Sequence, residues 1–447
     1  TNKQYLLINF LEAPVLAFIL GFFTKYIFGT SENPNQYLFS ENENIPAYLF
    51  MSVIVAMFIG LTVSAEEIIK DRRILMRESF LNLSWMSYLN SKIVILFALS
   101  AIQSLSFILV GNFVLEINWM TMSHFIVFFS TMAAANMIGL NISSALNSVV
   151  TIYITIPFII VPQLLFSGVM VNFNKLHKSV TTVKYVPVIG DLMLSRWAYE
   201  AMAVEQFKNN EYEKYFFNVD KEISRSSYQV MFLLPELQSR VDRSHKIMKS
   251  GGDNQKLEND LLLISNEFAI LNERVSNVQF SDFKSLEKET FDDKTAAVAT
   301  AYIDELKLYY KKRQYKANQI KDKIYLDLVE TLGGSEAVAE LKEDYYNKQL
   351  ATFVLNKNDI KKIAETEDHR LIQMKDPIFK KPETEYGRAH FYASKKYLFG
   401  MQIETLWFNM AIIWLSIVFM YIMLLFNGFK RMIEYVSNFN IFNFSDR

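Results

Sequence analysis

The 447-residue chain carries 46 Lys and Arg against 47 Asp and Glu, a net charge of −1, and 51% of it is hydrophobic. Near-neutral charge without a basic aromatic stripe excludes a nucleic-acid surface, and a chain with no Cys has no disulfides or thiolate chemistry. Long uncharged runs sit at both ends and most charge lies in the middle, the profile of an all-α membrane protein with a polar insertion.

Because it begins at Thr1 rather than Met, the chain is expected to be processed or part of a longer polypeptide. No cleavable signal pattern precedes the first apolar run. That run, Tyr5–Phe28, is long enough to span a membrane and holds Pro14, which kinks it or marks its true start. Glu12 lies either in the hydrocarbon, paired, or at headgroup level, solvated. The loop Thr30–Asn44 has Glu32, Glu41 and Glu43 but no Lys or Arg, which suits the outside face.

Pro46–Ala65 returns to the stretch Glu66–Lys92, which carries Lys70, Arg72, Arg73, Arg77 and Lys92. Such basic flanks mark the cytoplasmic side. Ile68, Leu75, Phe80 and Leu83 alternate with charge at helical spacing, predicting an amphipathic helix on headgroups or in a protein groove. Read alone, it is equally an ordinary basic loop that sets topology. Ile93–Val114 is the third span, and the acidic loop Glu116–Ser123 follows with Trp119. Phe125–Leu146, the fourth, is the most polar: Asn136, Asn141, Ser143 and Ser144 recur among Ala and Gly, a pattern for interhelical hydrogen bonds inside a bundle. A polar wall of a permeation path is the less common alternative.

Val149–Val171 is the fifth span, with Pro157 and Pro162. Residues 172–206, broken by Pro187 and Gly190, read as re-entrant or interfacial helices. Leu398–Phe426 is the last span, ending at Lys430 and Arg431, so that six spans place both termini in the cytoplasm. Between them residues 207–396 form a helical, coiled-coil-like extracytoplasmic domain, and 397–447 the last span and tail. Leu257, Leu261, Ile264, Phe268, Leu271, Val275 and Val278 make one heptad seam. A second runs from Ala296 to Ile324, interrupted by Arg313, and Gly333–Gly334 ends its helix. Adjacent seams of this kind are expected to pair antiparallel.

No GxxxxGK[ST] loop is present, so this chain does not itself cradle a nucleoside triphosphate. Its five His lack metal-ligand spacing, and neither GxSxG nor HExxH occurs. The residues offer no catalytic site, no metal site and no cofactor of their own.

Three strings resemble the ABC-2 type transmembrane domain of G-subfamily ABC exporters. FSGVMVNFNKL (Phe166–Leu176) resembles the end of that family's fifth span, SRWAYEAMAVEQF (Ser195–Phe207) the segment after it, and DRRILMRESFLNLSWMSYLNSK (Asp71–Lys92) its first cytoplasmic loop. The matches fall in order and cover about residues 1–207 and 398–431. By this resemblance Arg72, Arg73, Arg77 and Glu78 belong to the coupling helix that docks on an ATPase, and Val169 and Met170 replace a two-leucine gate. The resemblance further implies a partner ATPase domain carrying ATP and Mg, fused or separate, and a second transmembrane domain about a two-fold axis. The long insertion departs from typical members. The chain is thus expected to be the permease of an ATP-driven exporter of lipidic or amphipathic cargo, multi-pass in a bacterial inner membrane. A partner protein outside the membrane is expected on the insertion. The alternative is a membrane-anchored sensor or scaffold whose insertion binds a partner. An intramembrane enzyme lacks any catalytic pair at plausible depth.

Overall fold

The structure, a computed structural model, describes residues 3–27, 29, 36–78, 84–177 and 179–438. Among the described residues, five helical stretches are long and apolar enough to cross a membrane. The first is α1 (Lys3–Thr24), which runs unbroken through Pro14. A second stretch joins α2 (Ile45–Ala65) across a turn at Glu66 to the charged α3 (Glu67–Glu78). The others are α4 (Trp85–Leu115), α5 (Thr121–Ala145) and a C-terminal helix, Thr405–Leu425. The amphipathic helix expected over 66–92 is therefore α3 alone, with 85–92 already in α4. Phe80 and Leu83 of its expected apolar face lie outside the described residues.

The expected fifth span, 149–171, is a shorter helix, α6 (Val149–Leu165), of 17 residues. At 1.5 Å per residue it is roughly 25 Å long, less than the ~30 Å of a hydrocarbon core. Its stop is local: the chain turns through Ser167 and Gly168, whose φ of 83° is open to glycine. A Cβ at Gly168 would also meet the Phe173 ring at 2.3 Å.

The bundle packs by close backbone approach. α2 lies along α5, where a Cβ at Gly60 would come within 2.6 Å of the Met132 carbonyl and one at Gly139 within 2.0 Å of Ser64 Oγ. Small residues facing each other let helices meet in the absence of a hydrophobic drive from lipid. α4 packs on α1 and α5.

After α6 come a short turn α7 (Val188–Asp191) and α8 (Leu194–Lys208). α8 is buried along nearly its whole length, against α2, α5 and the C-terminal apolar helix, and joins the bundle's hydrophobic cluster. The insertion continues with α9 (Glu213–Tyr228), a π-helical turn Gln229–Leu233, α10 (Leu234–Ser250) and α11 (Asn254–Arg274). Then come the 40-residue α12 (Asp293–Leu332), α13 (Ser335–Tyr345) and α14 (Lys348–Val354). Asp253 and Asp292 cap α11 and α12 by accepting backbone N–H groups, and Gly333 closes α12 at φ 86°.

The two seams lie along α10 as a third helix and share one cluster with it. Of the hairpin or small helical domain that the seams allow, the packing is the small domain, and the length of α12 is the reason. Ala296–Tyr310 enter the α10–α11 cluster, whereas Ala317 and Leu328 turn to a second cluster with Phe216 and Val338, and Ile320 is exposed.

Among the described residues, two antiparallel hairpins interrupt the helical pattern: β1 (Ile363–Glu365) with β2 (Leu371–Gln373), and β3 (Lys395–Leu398) with β4 (Met401–Glu404). The last apolar helix, α15 (Thr405–Leu425), thus starts at Thr405 and not at Leu398, and α16 (Gly428–Asn438) follows. The insertion is not separate from the bundle: Leu350, Val354, Ile378 and Phe379 sit in the bundle's own cluster. Asn347 Nδ2 donates to the carbonyls of Phe39 and Asn42, both at 2.8 Å.

Candidate functional site

Helix ends leave unpaired backbone groups that something must satisfy. Where α2 turns into α3, two helix ends satisfy each other. Ser143 Oγ, in the last turn of α5, accepts the N–H groups of Ile68 and Ile69, both at 3.1 Å. In return Arg72 of α3 donates to the carbonyls of Ser144 (3.1 Å) and Leu146 (3.0 Å) and to Asn147 Oδ1 (2.7 Å). A cation at a helix C-terminus also opposes the helix dipole favourably. Lys92 of α4 contacts Glu67 and Asp71, each at 2.8 Å, and Tyr88 donates to Asp71 at 3.0 Å. The inner face of α3 is thereby tied to α4 and α5. Its outer face is exposed: Arg73, Ile74, Met76 and Arg77 point away from the bundle. Of the four expected coupling residues, Arg72 belongs to the inner face and Arg73 and Arg77 to the outer, while the Glu78 side chain lies outside the described residues.

At the other end of α6, Val169 and Met170 follow Gly168. Val169 packs partly against the bundle cluster, and Met170 is 68% exposed. Their loop lines a pocket of about 360 Å³ together with Phe353, His390 and Phe391.

The remaining expected residues lie within the bundle. Asn136 donates to Ser100 Oγ at 2.7 Å, joining α5 to α4, and Asn141 to the Met420 carbonyl at 2.9 Å, joining α5 to α15. Glu12 is half-buried on α1, three residues beyond Asn9, whose carbonyl accepts from Gln103 of α4 at 2.7 Å.

Residues 2–207 match the family model of the ABC-2 type transporter. This segment is an ABC-2 transporter membrane domain, and with its apolar helices the chain is a multi-pass membrane protein. Membrane domains of this family generally pair with an ABC ATPase. Comparison with curated proteins finds no match.

The ABC-2 segment ends in α8, and there the structure brings together residues that sequence reasoning missed. Glu200 is fully buried. Its Oε2 accepts from Lys396 Nζ at 2.7 Å and Asn409 Nδ2 at 2.9 Å, and its Oε1 accepts from the Tyr392 N–H at 3.1 Å. Arg196, one turn earlier, lies 3.7 Å from both Glu200 and Asp191 and stacks over the Trp197 ring. Burial pulls the Lys396 ammonium down to about 7, an effect that the Glu200 carboxylate opposes. Three elements, α8, β3 and α15, thus meet on one carboxylate. The available signal was Glu200 itself, an acid four residues after Arg196 in an otherwise apolar run.

Proposed function

We propose that the chain is the permease domain of an ATP-driven ABC-2 exporter, and that the outer face of α3 is its coupling surface. The observation that carries this reading is the mutual capping of α3 and α5. A docked ATPase would press on Arg73, Ile74 and Arg77, and Arg72 with Ser143 would pass the displacement to α5 as one rigid unit. Packed helices answer such a push by shifting between discrete arrangements.

In this reading ATP and Mg are held by the ATPase, fused or separate, and a second membrane domain completes the path about a two-fold axis. The basic residues Lys70, Arg72, Arg73, Arg77, Lys92, Lys430 and Arg431 gather at the α3 end. That end is cytoplasmic by the positive-inside rule, α6 counts as the sixth crossing, and the insertion lies outside a bacterial inner membrane. The loop at Val169 and Met170 gates the outer end. Few charges on the spans suit a lipidic or amphipathic cargo.

The test is ATP hydrolysis and transport by the chain with its ATPase in lipid vesicles, with Arg77→Ala and Glu78→Ala combined. Hydrolysis should lose its link to transport while the protein stays folded. Normal transport in the double variant would remove the coupling role.

A further inference from the structure

Outside the sites above, the insertion holds a second cavity, of about 610 Å³, between α9, α11, α12 and the segment 370–383. Six cations line it: Arg225, Arg274, Arg313, Arg370, Lys380 and Lys381. Four carboxylates, Glu222, Glu267, Glu273 and Glu383, leave an excess of positive charge. The pairing is uneven. Arg313 contacts Glu222, and Arg370 lies 3.4 Å from Glu383. Arg225, by contrast, donates only to the Phe379 carbonyl, and Arg274 and Lys381 have no carboxylate contact among the described residues. Like charges gathered in a concave site raise a positive potential that favours an anion there.

Buried lining groups carry the same message. Tyr228 and Gln229 are 3% and 6% exposed, yet the Tyr228 hydroxyl and Gln229 Oε1 find no hydrogen-bond partner among the described residues. Arg370 Nε also makes no hydrogen bond among the described residues and lies 4.0 Å from Glu267 Oε1. Such groups each cost free energy unless something binds them. Gln229 opens the π-helical turn, and a π-turn re-aims side chains at a point where a regular helix would not.

The cavity has a neighbour with a larger share of apolar walls. Gln373 and Lys380 line both it and the 360 Å³ pocket beside Val169 and Met170, whose walls include Phe353 and Phe391. One wall residue pair is thus shared between a basic chamber and one whose walls offer Met170, Phe173, Phe353 and Phe391 beside polar groups.

We propose that the basic cavity binds the anionic head, a phosphate or carboxylate group, of an amphipathic molecule whose apolar part lies in the pocket beside residues 168–175. This names the cargo's chemistry and rests on the exporter reading for any part in transport.

The experiment is calorimetric titration of the full chain, without nucleotide or ATPase, in phosphatidylcholine nanodiscs with hexyl phosphate, inorganic phosphate and hexanol. Hexyl phosphate should bind saturably and more tightly than the other two. Arg274→Ala with Lys381→Ala should weaken both phosphates by about tenfold, the loss of a charge-assisted contact. Both residues are exposed in part and hold no buried partner, so these variants fold. Met170→Asp should weaken hexyl phosphate and leave inorganic phosphate unchanged. No saturable binding of either phosphate, or binding indifferent to the Arg274 and Lys381 substitutions, would overturn the site. Equal affinity for inorganic and hexyl phosphate would overturn the amphiphile and mark a site for a free anion. Because no ATP is present, either failure leaves the coupling experiment on α3 standing.

Discussion

The bundle and the insertion hold themselves together by different chemistry. In the bundle, polar side chains join helices one neutral hydrogen bond at a time: Asn136 to Ser100, Asn141 to the Met420 carbonyl, Trp414 to Ser130. In the insertion the links are ionic: Arg240 contacts Glu236, Asp260 and Glu365, Arg243 contacts Asp260, and Lys321 contacts Asp220. Lipid makes a charge expensive but leaves a neutral donor affordable, so the bundle relies on close packing and modest bonds. The Glu200 cluster lies where the two regimes meet, with ionic groups buried as deeply as any bundle residue. A buried charge network resists partial removal far more than a neutral bond does.

That contrast predicts its largest effect at Glu200. Glu200→Ala removes the only carboxylate that Lys396 contacts among the described residues, leaves Arg196 with Asp191 alone, and should cost about 3–5 kcal/mol, read as a lowered unfolding temperature in detergent. Glu200→Ala combined with Lys396→Met should recover part of the loss. A loss no greater than that of a bundle Asn would break the comparison.

A second effect, visible only as the pH changes, tests burial without pairing. Glu213 is 4% exposed, and burial with Asp220 nearby raises its carboxyl to about 8 from the ordinary 4.5. Between those values the folded chain keeps a proton that the unfolded chain has released. Stability therefore falls as pH rises through that window, by at most about 1.4 kcal/mol per pH unit from this group. Glu213→Gln should flatten the profile, gaining most stability near pH 8 and none below pH 4.5. Unfolding midpoints that show no such difference between pH 5 and 8 would contradict it.

The smallest effect belongs to the bundle. Asn141→Leu removes one neutral bond between α5 and α15 and should cost about 0.6 kcal/mol, a shift in midpoint far below that of Glu200→Ala in the same assay.

Much of the bundle was legible because its signals are local. Apolar runs gave the helices, the small and polar residues of α5 marked a packed helix, and Gly333 stopped α12 where a left-handed residue was needed. The rest depends on distant partners. Lys396 meets Glu200 across 196 positions, and no pattern within either segment announces the pair. The basic cavity draws on residues from 222 to 383. The 17-residue length of α6 is set by the turn at Gly168 and the Phe173 ring five positions on, a local stop that hydropathy does not register. Arg72 teaches the same point at closer range: its guanidinium reaches the carbonyls of Ser144 and Leu146, 72 and 74 positions away, contacts that no pattern around it announces.

The chain's lack of Cys opens the most direct test of the central claim, that α3 is where the ATPase docks. A single Ile74→Cys places a thiol on the exposed face of α3, and Trp119→Cys places one, more exposed still, in the loop at the far end of α4. With a short thiol-to-amine cross-linker, the account predicts that Ile74→Cys joins the ATPase in a nucleotide-dependent manner and Trp119→Cys does not. Capture of the ATPase from position 119, or none from position 74 in an active complex, would contradict it.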